Sequence, residues 1–321
     1  MFVNRDFVAG VCSGGSRLCS LGWPAVWPWG GARQHSPLMY CHPLLPCILA
    51  KLFNLFLRHG HVPTQFGISY TVPLLKGSNS NYTKNLTAGD FRGISISPVL
   101  SKVFEHCVLR RFELYFKTSD NQFGFKKHLG CPHAIYTVRS VVNHYVSNGR
   151  SSTVNVCAID ISKAFDRVNN FGLFIKLMDR LLPVNVLLLL EDWFGKCFTC
   201  VKWDSLLSCM FQLTRGIRQG GVLSPYLIAL YVDDILAIVV KRRSGCFYQC
   251  VCVSIVMYAD DILLLSPSVT VVQELLCVCE NVLGSLDLSS NPKKSVCTRT
   301  GPRCNTVFQK KFTPRTFMIT V

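Results

Sequence analysis

Two adjacent carboxylates, Asp260 and Asp261, interrupt an apolar stretch that runs from Val251 to Ser266. The residues on either side are mainly β-branched or aliphatic, which predicts a strand, a tight turn and a second strand, with both carboxylates at the turn. The turn contains neither Gly nor Asn, so we expect a strained backbone there. Because two buried carboxylates are costly unless a cation lies beside them, this pattern favours a bound metal ion.

A third carboxylate, Asp160, ends a short apolar segment, Val154–Asp160, that is typical of a buried strand. If this strand and the Asp260-Asp261 hairpin are neighbours in one sheet, three carboxylates meet at one edge. Three such groups suit two divalent cations, which is an arrangement used for phosphoryl or nucleotidyl transfer. Each Asp taken singly is explained more simply by a turn or a helix cap, so the hypothesis depends on their convergence.

The segments around these carboxylates have the periodicity of regular secondary structure. Ser97 and Pro98 fit the N-cap and the first position of a helix. Helical spacing and apolar runs predict further elements elsewhere. The expected helices are Cys47–His59, Ala134–Val146 and Val269–Leu286, and the expected strands are Ile68–Leu75 and Phe91–Ile96.

The composition describes a strongly basic, folded protein. Among 321 residues, 34 Lys and Arg outnumber 18 Asp and Glu, for a formal net charge of +16, and 49% of residues are hydrophobic. That hydrophobic fraction is enough for one or two domains with cores and excludes disorder of the whole chain. The charge favours a polyanionic partner, and a generic basic protein is the alternative.

The cysteines and the longest apolar runs bear on where the protein resides. Its 17 Cys are scattered rather than spaced as a disulfide framework, so we expect reduced, buried thiols in an intracellular protein. No secretory signal opens the chain, and we expect that it is not secreted. The run Val222–Val240 has the hydropathy of a membrane span, but Pro225, Asp233 and Asp234 interrupt it, so we expect no membrane as a partner.

Several motifs follow one another in a fixed order along the chain. They are TVPLLKG (71–77), DFRGISISPVLSKVFE (90–105), NQFGFKKHLG (121–130), AIDISKAFDRV (158–168), RQGGVLSP (218–225), YADD (258–261) and NPKKS (291–295). This order resembles reverse transcriptases, and more narrowly those of non-long-terminal-repeat (LINE-type) retrotransposons. The resemblance covers the chain from roughly Cys47 to Arg303, and agreement of several motifs is more specific than any one pattern.

The resemblance implies an α+β fold, with the fingers and palm of a right-hand polymerase and an antiparallel palm sheet flanked by helices. It places a fingers-like subdomain at 48–150 and a palm-like catalytic subdomain at 151–300. Residues 1–47 form an irregular leader of unassigned role. Residues 301–321 form a basic tail or a truncated connection to a thumb. Because the chain stops at Val321, we expect the thumb to be largely absent and the chain to be a truncated copy.

The resemblance also assigns the catalytic and metal-binding residues. Asp160 and Asp260 match the ligands of both metal ions, and Asp261 is the neighbouring carboxylate, less directly engaged. Lys294 matches the lysine of the motif after YADD, a proton donor to pyrophosphate, with Lys293 as the adjacent alternative. The implied ions are two Mg²⁺, with Mn²⁺ as a substitute.

A second group of residues matches positions that contact the incoming nucleotide in this family. Lys76 and Arg92 fall where the fingers grip the triphosphate, and a solvated basic loop is the alternative. Phe165 matches the bulky residue beneath the sugar, where a ring excludes a 2′-hydroxyl, and an ordinary core aromatic is the alternative. Gln219 and Gly220 match a pair whose backbone lines the nascent base pair, because Gly permits close approach.

The expected function is RNA-directed DNA polymerase, with an RNA template, a DNA primer and deoxynucleoside triphosphates as partners. The alternative is an inactive, truncated retrotransposon remnant that only binds nucleic acid. We expect nuclear or cytoplasmic residence, or both, and the oligomeric state is left open.

A second sequence of the YxDD type, Tyr231–Asp234, competes with YADD for the catalytic role. It lies about two turns into a helix that is expected to begin near Pro225, with no strand before it. We therefore interpret Asp233 and Asp234 as carboxylates on the helix surface.

Overall fold

The computed structural model describes His42, residues 44–76, 86–147 and 152–301, and the backbone of residues 310–311. Most of the predicted leader (1–47) and most of the predicted basic tail (301–321) therefore lie outside the described residues.

The described residues form helices and strands in mixed order, as expected for an α+β protein. The helices are α1 (Leu44–His59), α2 (Thr64–Gly67), α3 (Val99–Arg111), α4 (Cys131–Ser147), α5 (Ala164–Arg167), α6 (Asn170–Asp179), α7 (Val184–Gly195), α8 (Ser224–Lys241) and α9 (Val269–Ser285). The strands are β1 (Ile68–Leu75), β2 (Phe91–Ile96), β3 (Val154–Asp160), β4 (Phe198–Trp203), β5 (Leu206–Leu207), β6 (Phe211–Gln212), β7 (Phe247–Tyr248), β8 (Val251–Cys252), β9 (Ile255–Tyr258), β10 (Asp261–Ser266), β11 (Val296–Thr300) and β12 (Lys310–Lys311).

One predicted helix start is wrong by a residue. Helix α3 begins at Val99, and its N-cap position is taken by Pro98, with no side-chain cap. The backbone of Pro98 is extended, with φ −56° and ψ 144°, so this residue precedes the helix and does not lie within its first turn. The expected cap at Ser97 is therefore not formed.

The chain divides into two compact units, each built from two segments. Unit 1 comprises residues 1–116 and 174–224, and unit 2 comprises residues 117–173 and 225–321. Each unit draws on both of the ranges predicted as fingers-like and palm-like, and those subdomain boundaries stay a prediction.

Unit 1 contains a mixed sheet in the order β2-β1-β4-β5, with β6 also paired to β4. Strands β1 and β2 are antiparallel, whereas β1 and β4 are parallel. Helices α1 and α7 of this unit pack together, and rings from α1, α2, α3 and α7 form an aromatic core. The rings in this core are Phe53, Phe56, Phe66, Phe104 and Trp193.

Unit 2 contains a sheet in the order β12-β11-β3-β10-β9, in which every neighbouring pair is antiparallel. Helix α4 contacts β3 and β9, and helix α9 contacts β3 and β10. The expected antiparallel sheet flanked by helices is confirmed. So is the expectation that the strand ending in Asp160 lies next to the YADD hairpin.

The described cysteines form no disulfides with one another, and they differ in exposure. Cys107, Cys157 and Cys246 are among the buried ones, as expected. Cys131 and Cys209 are exposed, as are Cys250 and Cys277, so the expectation of burial is wrong for these thiols. Their positions at helix starts, turns and solvent-facing helix surfaces explain the difference.

Candidate active site

The carboxylates lie at the end of two neighbouring strands in unit 2. Val154 of β3 and Leu265 of β10 are buried in a cluster that includes residues of α4. Because side chains alternate along a strand, Asp160 and Asp261 face the same side of the sheet as these apolar residues. They are directly opposed in the antiparallel ladder. Apolar burial beneath α4 thus fixes the register that pairs two carboxylates.

The turn that carries Asp260 has the strain expected from its sequence. Tyr258 and Asp261 pair as the last residue of β9 and the first of β10, so Ala259 and Asp260 alone form the turn. Ala259 has φ +60°, in the left-handed region that disfavours residues with a Cβ. Asp260 follows it and is half-buried. A strained main-chain position therefore sets the direction in which the carboxylates leave the backbone.

The NPKKS motif brings Lys294 to the same end of the sheet. Asn291 N–H donates to the main-chain oxygen of Asp160 at 2.8 Å, and Asp160 N–H donates to Ser295 Oγ at 3.2 Å. The turn between them is closed by Ser295 Oγ, which donates to the main-chain oxygen of Asn291 at 2.8 Å. Lys294 Nζ consequently lies 3.6 Å from Asp160 Oδ2. A cationic side chain thus accompanies this carboxylate.

The electrostatics of this end of the sheet favour additional positive charge. Asp261 is exposed as a whole residue, but partial desolvation of its carboxyl group raises its pKa above the ordinary value, and the negative charges of Asp260 and Asp160 raise it further. Lys294 acts in the opposite direction but does not reverse the effect. The three carboxylates therefore repel one another, and a divalent cation would relieve that repulsion.

The donor set at this end fits magnesium in its chemistry. Asp160, Asp260 and Asp261 offer carboxylate oxygens, which are the ligands that hard cations such as Mg²⁺ prefer. Across the part of the chain that the structure describes, no group of three or more His, Cys, Asp or Glu side chains is gathered as a finished metal site. The fit therefore rests on donor type and on the mutual repulsion of the carboxylates.

Phe165 lies in the short helix α5 that follows β3. The residue before this helix, Lys163, has φ +49°, and its left-handed conformation turns the chain from the strand into the helix. Ala164 is buried, whereas Phe165 is half-buried. A ring that retains exposure beyond the end of β3 is compatible with a contact to a ligand.

Lys76 and Arg92 belong to the hairpin of β1 and β2 in unit 1. Lys76 follows the last residue of β1, and its Nζ donates to the main-chain oxygen of Gly89 at 2.9 Å. Arg92 lies opposite Leu74 in the ladder. Both basic side chains are exposed, so both are accessible to an anion.

Gln219 and Gly220 lie in a loop that packs against the same hairpin. Ser95 N–H donates to the main-chain oxygen of Gln219 at 2.6 Å. Gly220 has φ +124°, and a Cβ at this position would lie 2.2 Å from the main-chain oxygen of Ser95. Only glycine fits this close approach, so the residue type is explained by the backbone. The described part of unit 1 thus joins four of the predicted nucleotide-binding residues to one hairpin, while Phe165, Lys294 and the carboxylates belong to unit 2.

Comparison with known proteins shows the family to which this chain belongs. The profile of the family "Reverse transcriptase (RNA-dependent DNA polymerase)" matches residues 77–312, which is more than half of the chain. The chain belongs to the reverse transcriptase family. This range contains both segments of the carboxylate site and most of the predicted nucleotide-binding residues.

The curated relatives of this chain come from mobile elements. It is 29% identical over 231 residues to the RNA-directed DNA polymerase from mobile element jockey of Drosophila funebris, covering 70% of this chain and 24% of the relative. It is 28% identical over 215 residues to the probable RNA-directed DNA polymerase from transposon X-element of Drosophila melanogaster, covering 64% and 23%. The chain thus spans about a quarter of the length of these relatives. The resemblance to non-long-terminal-repeat retrotransposon enzymes is confirmed.

A solved structure shows the same fold. Apo telomerase from Candida tropicalis, truncated from the C-terminal domain, superposes with a TM-score of 0.53 and 12% identity, covering 80% of this chain and 56% of that chain. At this identity the likeness speaks for the fold alone. It agrees with the expected polymerase architecture.

The second YxDD sequence of the chain lies in α8, as predicted, but one of its carboxylates is not on the surface. Asp233 is buried, and its Oδ1 accepts a hydrogen bond from Ser119 N–H at 2.9 Å. Asp234 is exposed. The prediction was wrong for Asp233 because a loop distant in sequence covers that face of the helix.

Among the described helices, none is long and apolar enough to cross a membrane.

Sequence reasoning missed Glu105, a buried residue of α3. Its Oε2 accepts hydrogen bonds from Val222 N–H and from Leu223 N–H, the latter at 2.8 Å. These donors lie shortly after Gly220 and before α8. Burial raises the pKa of Glu105, and Arg218 and Lys102 partly oppose this effect. Glu105 thus holds the loop of Gln219 and Gly220. No local sequence pattern in its own helix predicts that contact.

Proposed function

We propose that this chain is an RNA-directed DNA polymerase that adds deoxynucleotides to a primer 3′-hydroxyl by two-metal nucleotidyl transfer. The observation that carries the proposal is the pairing of Asp160 with Asp261 at the ends of adjacent strands, beside the turn residue Asp260. Membership of the reverse transcriptase family supports the reaction class. Mutual repulsion among the carboxylates supports a requirement for divalent cations.

The carboxylates would hold the ions, with Asp160 and Asp260 engaging both and Asp261 less directly. Bound Mg²⁺, or Mn²⁺ in its place, would make the primer hydroxyl a better nucleophile and neutralise the triphosphate charge. Lys294, already beside Asp160, would donate a proton to the departing pyrophosphate. The sheet of unit 2 would thus supply the groups that act on the reacting atoms.

The remaining site residues would bind and select the nucleotide. Lys76 and Arg92 would contact the triphosphate, to which Arg offers two parallel hydrogen bonds. Gln219 and Gly220 would lie along the nascent base pair with their backbone. Phe165 would exclude a ribonucleotide by contact with its 2′-hydroxyl. The net charge of +16 supports an RNA template and a DNA primer as polyanionic partners.

Primer extension tests this proposal. The full chain is given a poly-adenosine RNA template, an oligo-deoxythymidine primer, labelled deoxythymidine triphosphate and Mg²⁺. We expect extension by the wild type, none by Asp260→Asn, and unchanged extension by Asp234→Asn, which alters an exposed carboxylate of the other YxDD sequence. The affinity for the RNA–DNA duplex should be similar in all three proteins. Asp260 would bind ions rather than phosphates, and Asp234 lies outside the proposed site.

Two results would contradict the proposal. Extension by Asp260→Asn at the wild-type rate would remove the YADD turn from the active site. Failure of the wild type to extend, together with salt-dependent binding of the RNA–DNA duplex, would favour the inactive remnant that only binds nucleic acid.

A further inference from the structure

The strained turn of unit 2 is held by a side chain from a segment far away in sequence. Gln122 is fully buried, with 0% exposure, and its side-chain amide contacts both the N–H and the main-chain oxygen of Ala259. Ala259 N–H donates to Gln122 Oε1 at 2.9 Å, and Gln122 Nε2 donates to the main-chain oxygen of Ala259 at 3.2 Å. The same Oε1 accepts a further hydrogen bond from Gly124 N–H at 3.0 Å. One side chain thus satisfies both polar groups of the residue with positive φ.

The backbone around Gln122 fixes the position of this amide. Asn121 to Phe123 runs alongside β9, where Phe123 N–H donates to the main-chain oxygen of Met257 at 2.8 Å. Met257 N–H in turn donates to the main-chain oxygen of Asn121 at 2.9 Å. Gln122 therefore cannot shift along the strand without breaking both bonds.

Gly124 allows this segment to approach the turn. A Cβ at Gly124 would lie 2.3 Å from the main-chain nitrogen of Ala259, closer than real Cβ atoms come to a backbone atom. The absence of a side chain thus lets Gln122 reach Ala259 from a fixed direction. Two features of the same segment, an amide and a glycine, converge on a single turn residue.

We propose that Gln122 is a positioning residue for the active site, which acts by holding the main chain of Ala259 and thereby the carboxylates of Asp260 and Asp261. A buried amide is costly unless its donor and acceptor are satisfied, and here both are used on the turn. A residue with positive φ and a Cβ relaxes unless its surroundings oppose it. The consequence for catalysis rests on the proposed polymerase function, whereas the consequence for the turn does not.

Asn155 provides a matched control at the opposite end of the same strands. It is buried, and its Nδ2 donates to the main-chain oxygen of Ser266 at 3.1 Å. Asn155 and Ser266 are opposed in the ladder of β3 and β10, away from the carboxylates. Asn155→Leu therefore removes a buried hydrogen bond between an amide side chain and β10. It leaves the turn at Ala259 and Asp260 unchanged.

The test combines two measurements. One is hydrogen–deuterium exchange of peptides that cover residues 255–262, and the other is a titration with Mn²⁺ in which the electron paramagnetic resonance signal reports the free ion. In Gln122→Met, which keeps the length but loses all three side-chain hydrogen bonds, we expect about tenfold faster exchange in the turn. We also expect about fivefold weaker Mn²⁺ binding, because the carboxylates are no longer held in one arrangement. Asn155→Leu should leave both quantities within about twofold of the wild type, apart from faster exchange near Ser266.

A rescue experiment separates positioning from general loss of stability. Glycine adopts φ +60° without a Cβ clash, so Ala259→Gly should reduce the effect of Gln122→Met on Mn²⁺ binding. If Gln122→Met does not fold, Gln122→Glu replaces it at a pH at which the carboxyl group is ionised, since this variant keeps acceptors for both N–H groups but sets a carboxylate oxygen against the main-chain oxygen of Ala259. We expect turn exchange in Gln122→Glu to be faster than in the wild type, because repulsion replaces the hydrogen bond to the main-chain oxygen of Ala259.

Three results would overturn the inference. One is wild-type exchange in the turn of folded Gln122→Met or Gln122→Glu, and another is an equal effect of Asn155→Leu on the turn. The third is weaker turn protection in Gln122→Met without any change in Mn²⁺ affinity. If the wild type neither binds Mn²⁺ nor extends primers, the polymerase proposal and the role of Gln122 in catalysis fail together. The exchange comparison still decides whether Gln122 holds the turn.

Discussion

Two loops of this chain are each held by a buried side chain from a distant segment, and the two side chains differ in the hydrogen bonds that they offer. In unit 2 the neutral amide of Gln122 bonds both polar groups of Ala259. In unit 1 the carboxyl group of Glu105 accepts the N–H groups of Val222 and Leu223. The amide supplies a donor and an acceptor, whereas an ionised carboxylate supplies acceptors only.

This difference makes the two loops unequal in their response to pH. Gln122 does not titrate, so its hydrogen bonds to the turn of unit 2 persist over the whole physiological pH range. Glu105 is buried near Arg218 and Lys102, and desolvation outweighs their attraction, so its pKa is raised. The buried charge therefore carries a cost that grows as the carboxyl group ionises.

A glycine at each of these two contacts gives the largest expected effect. Gly220→Ala combines a positive φ with a clash against Ser95, and we expect a loss of about 4 kcal/mol in the free energy of unfolding. Gly124→Ala adds only the clash with Ala259, and we expect about 2 kcal/mol. Urea unfolding measures both values.

Gly284→Ala is the control for this pair. Gly284 lies within α9, and a Cβ added there would have no described atom within 4 Å outside its own stretch of helix. We therefore expect a gain of about 0.5–1 kcal/mol from helix propensity. Equal losses for Gly220→Ala and Gly124→Ala would contradict the expectation that the positive φ of Gly220 adds to the cost of its Cβ clash.

The pH dependence of stability gives the next effect in size. Because the pKa of Glu105 is raised in the folded state above its usual value of 4.5, its contribution to stability is fully present below that pH and is lost as pH rises through the raised pKa. Between the two pKa values, the free energy of unfolding of the wild type should fall by up to about 1.4 kcal/mol per pH unit from this group. Glu105→Gln should lack this component.

Unfolding in urea between pH 4.5 and pH 8 measures this slope for both proteins. Glu113→Gln, an exposed carboxylate of the same unit, should keep the wild-type slope. The groups that face Glu105 are Lys102, Arg218 and Cys197, and none of them is altered in these variants. Parallel curves for the wild type and Glu105→Gln would show that Glu105 does not titrate in this range.

The sequence predicted the parts of the site that depend on local periodicity. The strand ending at Asp160 and the hairpin around Asp260 were predicted from apolar runs, and the sheet pairs them as expected. The strain at Ala259 was indicated by a turn without Gly or Asn. The motif order also predicted the family, because several short patterns at fixed spacing leave few alternatives.

The parts that sequence reasoning missed depend on contacts between distant residues. Gln122 and Ala259 are 137 positions apart, and Glu105 and Leu223 are 118 apart. Neither pair leaves a periodic signal in its own segment. Asp233 was misjudged for the same reason, since the loop of Ser119 that buries it lies 114 positions away. Strand β4 was missed because its parallel partner β1 lies far from it in sequence.

The central claim is that the carboxylates of the unit 2 sheet perform metal-dependent nucleotide addition. The most direct measurement is the single-turnover rate of incorporation of one deoxythymidine nucleotide in Mg²⁺, for the wild type, Asp160→Asn and Asp234→Asn. We expect Asp160→Asn to be slower by about 10³-fold, as the loss of several kcal/mol of stabilisation of the transition state implies, and Asp234→Asn to match the wild type. A rate for Asp160→Asn equal to that of Asp234→Asn would contradict the claim.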